Sequence, residues 1–386
     1  MNKRVALYLT AVAVALMLVS LAGTALAQEP TYDPSAKAIF TTLPPHANPY
    51  LPAVPAATNL TQWTLNWKSS YNNQNYSTVI VGQDPSSHNN TTTIEVGIIP
   101  IKMVYGSSNG NKTFDPNTAG EFGTMSATQM INGSPLFKSL IDFNQGGTDL
   151  GTTEYIDAYE RGNLWTGVIQ KNTNYHVILK TIVAPEQTFN VPSNIGNVIS
   201  NPWSGIPTGT ADINWFDSQL QTVMSNYSCT KRKEPCISPN VLPFFITENV
   251  YLTEGGCCIG GYHSANGFAP SGQTYGYTTI IQDAVVPVFS QDIGAAAHEV
   301  GEWLLDPFTT NRSPCPSNGI LENGDPLETE THPEEFGDWP YTVNGVTYRP
   351  QDLVFLSWFG QTPSTAVNGW HTFQGQPTLN VCQTAF

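Results

Sequence analysis

The stretch His298-Glu299-Val300-Gly301-Glu302-Trp303-Leu304-Leu305-Asp306-Pro307 constrains this chain more than any other, because it sets four ionisable groups on or at the end of one predicted helix. Ile293, Ala297, Val300 and Leu304 recur at amphipathic spacing, with Asp292 as a start signal and Pro307 as a stop. At about 100° per residue, His298 and Glu302 fall together roughly opposite that apolar stripe, and Glu299 projects about a quarter turn away. Ala295 leaves room beside them. Only 12% of the chain is charged, so this concentration beside three alanines and a tryptophan is not the pattern of a routine solvated face.

Imidazole nitrogen and carboxylate oxygen are zinc donors, and a catalytic zinc keeps three protein ligands and one open position. His298 and Glu302 supply two of the three. Twenty residues past Glu302, Leu321-Glu322-Asn323-Gly324-Asp325-Pro326 offers a third ligand from a Gly-containing turn, with Glu322 and Asp325 both open as candidates. Asp306 is a lesser candidate, better placed to cap the helix or orient a ligand. Glu299 stands where a general base belongs. The oxygen-rich set Glu302, Glu322, Asp325 and Asp306 leaves calcium open as an alternative to zinc. Carboxylates crowded in this way repel, so one of Glu299, Glu302 or Glu322 is expected to have a raised pKa in the metal-free protein.

Lys3 and Arg4 precede an apolar run from Val5 to about Gly23, and Ala25-Leu26-Ala27 follows, which reads as a signal peptide over 1–27 and an exported chain. An uncleaved anchor is the alternative. The net charge is −15, and the leader carries two bases and no acid, so nucleic acid and anionic membrane surfaces are poor partners for the mature protein. All six cysteines, at 229, 236, 257, 258, 315 and 382, follow the leader, and an even number in an oxidising compartment predicts disulfides. Cys229 and Cys236 are expected to pair, and Cys257 and Cys258 to reach separately to Cys315 and Cys382.

Residues 28–60 are rich in proline and read as an extended arm or prosegment, leaving 61–386 as one region with a subdivision near residue 230 left open. Strands are predicted over 94–105, 175–183, 241–252 and 275–281, and helices over 134–143, 153–165 and 215–224. Such interleaving predicts an α+β or mixed α/β architecture with a mixed sheet and a disulfide-stapled second half. An extended peptide substrate would pair with an exposed strand, for which Tyr275 to Ile281 and Val285 to Phe289 are candidates. Among the remaining histidines, His263 reads as a turn residue that becomes a ligand or oxyanion stabiliser only if the fold carries it to the metal. His176 reads as a packing residue, His332 and His371 as reserve ligands, and Asp157 with Arg161 as an i, i+4 pair.

Together these residues resemble the zincin-like metallopeptidases, in an H-E-x-x-E form of secreted bacterial type, and the downstream glutamate is spaced similarly to the third ligand of the gluzincins. A fainter likeness is to the plant Exordium or phosphate-induced secreted family, carried by His263-Ser264, His298 to Glu302 with Asp306-Pro307, and Glu322 to Asp325. The likeness covers roughly residues 255–328. It implies a zincin-like fold built on an active-site helix, His298 and Glu302 as zinc ligands, Glu299 as general base, and a peptide or protein substrate. The Exordium likeness implies an extracellular or wall-associated protein. With nine tryptophans and sixteen tyrosines available for stacking, a non-catalytic glycan- or cell-wall-binding protein on a degenerate zincin scaffold is the alternative.

Overall fold

The computed structural model describes residues 39–40, 43–46, 59–119, 125–166, 169–201, 205–231, 233–281, 292–315, 319–327, 339–376 and 378. The leader, His332, Cys382 and the 285–289 segment therefore lie outside the described residues.

The fold is mixed α+β, organised around one long curled mixed sheet. Its 15-residue strand β1 (Thr91–Tyr105) pairs in parallel with β2 (His176–Val183) on one edge and β3 (Val241–Glu248) on the other. Past β3 the order continues through β5 (Gln273–Ile280), parallel to β3, and β4 (Cys257–Asn266), antiparallel to β5. Val250–Thr253, Pro207–Asp212 and Val198–Ser200 extend the sheet from there. β1 is apolar on both faces because both are covered, as parallel strands require. Ile94, Val96 and Ile98 face one core, together with Leu242, Phe244 and Ile246, and Ile99, Ile101 and Met103 face the other.

Helices α1 (Ala127–Gly133), α2 (Tyr155–Asn163) and α4 (Gly294–Leu305) contribute to the first core, and α3 (Ile213–Tyr227) to the second. α4 lies across β4 and β5. Its termini follow the expected stop but not the expected start. Asp306 is the C-cap just before Pro307, whereas the N-cap is Ile293, and Asp292 turns back to accept from the Ile293 and Arg349 N–H groups.

Several local expectations are corrected. No helix spans 134–143: Ser126 and Gln129 form a capping box that starts α1 earlier, Ser134 ends it, and Ile141–Gln145 is a strand. Pro100, which suggests either an edge or a bulge, is not on an edge but falls at an irregularity, where the partner of β1 switches from Val183 to Gln187 and a missing N–H is tolerated. The 241–252 strand breaks at Asn249, whose φ of 52° lets the chain turn. Cys229 pairs with Cys236 as expected, but Cys257 and Cys258 bond each other across a cis peptide, so neither reaches to Cys315 or Cys382. Cys315 is itself disulfide-bonded. β5 is paired on both edges and cannot take up a substrate strand. Part of the Pro-rich arm is docked: Ile39–Phe40 pairs with β4, and His46 reaches Asp217 at 2.9 Å.

α2 shows how carboxylates serve this fold away from any site. Asp157 does not pair with Arg161. It accepts from Val177 N–H, Thr153 Oγ1 and His176 Nδ1, and Glu154 accepts from Leu179 N–H, so the helix caps donors on the outer edge of β2. Burial raises the Glu154 pKa from its ordinary 4.5 to about 7. Between those values the native state holds a proton that the unfolded chain has released, so this group's contribution falls as pH rises. Glu154→Gln keeps an acceptor for Leu179. The variant is expected to match wild type near pH 4 and to exceed its stability by roughly 3 kcal/mol at pH 8, read as a difference between urea midpoints across that range.

Candidate metal centre

The centre lies between α4, β4 and the turn that follows α4. His298, Glu299 and Glu302 come from the helix, His263 from β4, and Glu322 and Asp325 from the turn. The entire helix is buried, so the face carrying His298 and Glu302 points not to solvent but into a packed polar chamber. His263 and His298 are 0% exposed and the Glu302 and Glu322 side chains 3%, while the Asp325 side chain, at 16%, is the most open member. His263 is therefore not a turn histidine. Alternation along β4 sends Tyr262 and Ser264 to the arm side and Gly261, His263 and Ala265 toward α4.

Donor atoms converge at distances that suit shared coordination. His298 Nε2 is 3.0 Å from Glu302 Oε1 and 3.6 Å from Asp325 Oδ1. His263 Nδ1 is 3.4 Å from Glu299 Oε2 and 3.6 Å from Glu302 Oε2, and its Nε2 is 3.9 Å from Glu322 Oε2. Two tetrahedral ligands with bonds of about 2.1 Å sit roughly 3.4 Å apart, which is the range seen here. Two groups bring their ligand atoms within 4.8 Å of one another, His298 with Glu299 and Glu302, and His263 with Glu302 and Glu322. Asp306 is outside both. Its carboxylate accepts from the Thr310 and Asn311 N–H groups at 2.9 Å, so it closes the helix end. His176 is tied to Asp157 and His371 to Ser357.

Hydrogen bonds fix which nitrogen of each imidazole carries its proton. Gln351 Nε2 donates to the Gly324 carbonyl at 3.1 Å, which turns its Oε1 to His298 Nδ1 at 2.6 Å. Nδ1 must be the donor, leaving the Nε2 lone pair toward the carboxylates. His263 Nε2 lies 3.1 Å from the Asp306 carbonyl, so that nitrogen donates and the Nδ1 lone pair faces Glu299 and Glu302. Burial pushes the His263 pKa down to about 3 and that of His298 down to about 4, so both rings are neutral at physiological pH. Glu302 is raised well above the usual carboxylate range, first by burial and then by the Asp325 charge. Repulsion was the cause expected from the sequence; desolvation leads.

Two glycines give the cluster its room. A methyl on Gly324 would stand 2.3 Å from His298 Nδ1, and one on Gly261 would stand 2.5 Å from Glu299 Oε1. Gly324→Ala must displace the imidazole that Gln351 holds. The variant is expected to lose at least about tenfold in metal affinity, measured by competition with a chromophoric chelator; unchanged affinity would mean that His298 is not a ligand.

The turn residues Glu322 and Asp325 and the helix residues are thus brought together as the sequence spacing suggested. His263 was legible only as a conditional ligand, and Gln351 carried no motif at all. Comparison with family models, curated proteins and solved structures finds no match. Among the described residues, no helix is long and apolar enough to cross a membrane.

Proposed function

We propose that the chain is an exported, zinc-dependent peptidase. The observation that carries this reading is the convergence of His298, Glu299 and Glu302 with the turn residues Glu322 and Asp325 in one buried chamber. The donor set fits a transition metal: two neutral imidazoles favour zinc over calcium, which takes oxygen ligands. Bound zinc would supply Lewis acidity to a carbonyl oxygen and acidify water. His298 and Glu302 would hold the ion, with Glu322 or Asp325 as third ligand, and Gln351 orients His298. Glu299 takes a proton from the attacking water and returns it to the leaving amine. Asp325, the most exposed of the set, marks the side from which substrate enters. Disulfides at Cys229–Cys236 and Cys257–Cys258 agree with an oxidising compartment, and hence with export.

Metal analysis of the purified mature protein beside His298→Ala tests the reading. Zinc that copurifies with wild type and is lost from the variant supports it, and no zinc in wild type after loading and dialysis rejects it. A second reading, a non-catalytic extracellular protein that binds glycan or cell-wall polymer and is stapled by its metal, is favoured by the near-complete burial of the ligands. It is separated from the first by turnover: metal-loaded protein that cleaves no member of a peptide library, yet is retained on insoluble glycan, would put the binding role first.

A further inference from the structure

The two groups of possible ligands share one residue, Glu302. This step rests on the metal-dependent reading above and deepens it. One nitrogen of each imidazole turns a lone pair toward carboxylate oxygens, because the other donates to a fixed acceptor: Gln351 Oε1 for His298 and the Asp306 carbonyl for His263. A lone pair and a carboxylate oxygen facing each other at 3.0–3.6 Å need a proton or a cation between them, and Glu302, with one carboxyl proton at most, cannot serve both imidazoles at once. There are two such places, and they meet at one residue. Glu302 presents Oε1 to His298 and Oε2 to His263, so its two oxygens look into different donor sets.

We propose that Glu302 bridges two divalent cations, one on the side of His298 Nε2 and Glu302 Oε1, the other on the side of His263 and Glu302 Oε2, where Glu322 completes a group whose ligand atoms all lie within 4.8 Å of one another. Bridged pairs of this kind lie about 3.5–4 Å apart, a span that one carboxylate covers. Charge points the same way. Fully ionised, as metal ligands are, Glu299, Glu302, Glu322 and Asp325 would carry four formal negative charges beside two neutral imidazoles. A single divalent ion would leave an excess of two negative charges in a chamber whose glutamate and histidine side chains are at most 3% exposed, whereas two ions balance it. Zinc is the class of ion that the mixed imidazole and carboxylate donors select at both positions. Glu299, facing both histidine sets, then serves water activated between two ions, as in co-catalytic hydrolases.

The test is metal stoichiometry of the full mature chain, loaded with zinc and dialysed, for wild type, His263→Gln and His298→Gln, beside the paramagnetic spectrum of the cobalt-loaded protein. The expected result is two zinc ions per wild-type chain, one in each variant, and a spin-coupled cobalt pair that becomes an isolated cobalt signal in either variant. One zinc in wild type that persists in His263→Gln overturns the second site and leaves the mononuclear reading intact. No zinc in wild type overturns both. Should a variant fail to fold, the wild-type count and the coupling of its cobalt spectrum decide alone.

Discussion

Glu299→Gln is expected to lower kcat by roughly a hundred- to ten-thousandfold while leaving bound zinc unchanged. The carboxylate lies over Gly261, where the absence of a side chain makes the room it occupies, and its Oε2 sits 3.4 Å from His263 Nδ1. Glutamine preserves that shape but cannot take a proton. The same change removes one of four clustered carboxylates, so the metal-free variant should melt higher than metal-free wild type, by a few degrees for a gain of roughly 1–2 kcal/mol. Opposite signs for activity and apo stability are the signature of a group kept for chemistry. Peptide turnover with zinc-loaded protein and thermal melts of the chelated forms measure both. Full activity in the variant would remove Glu299 from the mechanism, and lowered apo stability would make it a structural acceptor instead.

What the sequence made legible follows from the range of the interactions involved. α4 and its residues His298, Glu299 and Glu302 could be read because helical periodicity places them on the strength of local spacing alone. Glu322 and Asp325 could be read because a short turn returns the chain to the helix it has just left; Gly324 N–H donates to Glu302 Oε1 at 3.2 Å. His263 depends on sheet register. A one-residue slip of β4 would point it at the arm and Ser264 at the carboxylate cluster, and nothing local to Gly260-Gly261-Tyr262-His263 decides between them. Gln351 depends on the path of a segment far along the chain, and an uncharged side chain leaves no motif. The same logic explains Asp157, whose i, i+4 partner was the local guess and whose true partners come from β2. Ser134-Pro135 imitates a helix start over 134–143, whereas the capping box eight residues earlier is the one whose bonds are made.

Removal of metal from the wild-type protein is expected to cost it several degrees in Tm and to expose its polar chamber to exchange. Zinc held a thousandfold above its Kd contributes about 4 kcal/mol, which for a chain of this size corresponds to roughly 6 °C. Without the ion, α4 and the Glu322 to Asp325 turn are joined across a chamber in which neutral imidazole lone pairs oppose carboxylates, and burial raises the Glu302 pKa. The first loss should therefore be local. Amides of the Gly324 turn, whose N–H bonds Glu302, and of the segment around Gln351, which bonds both that turn and His298, are expected to lose protection on chelation. β1 and β3, paired on both edges, should keep theirs. Hydrogen exchange with and without chelator measures this. Uniform loss across the sheet would mean that the metal holds the whole fold, and unchanged protection at Gly324 and Gln351 would mean that no metal had been holding the turn to the helix.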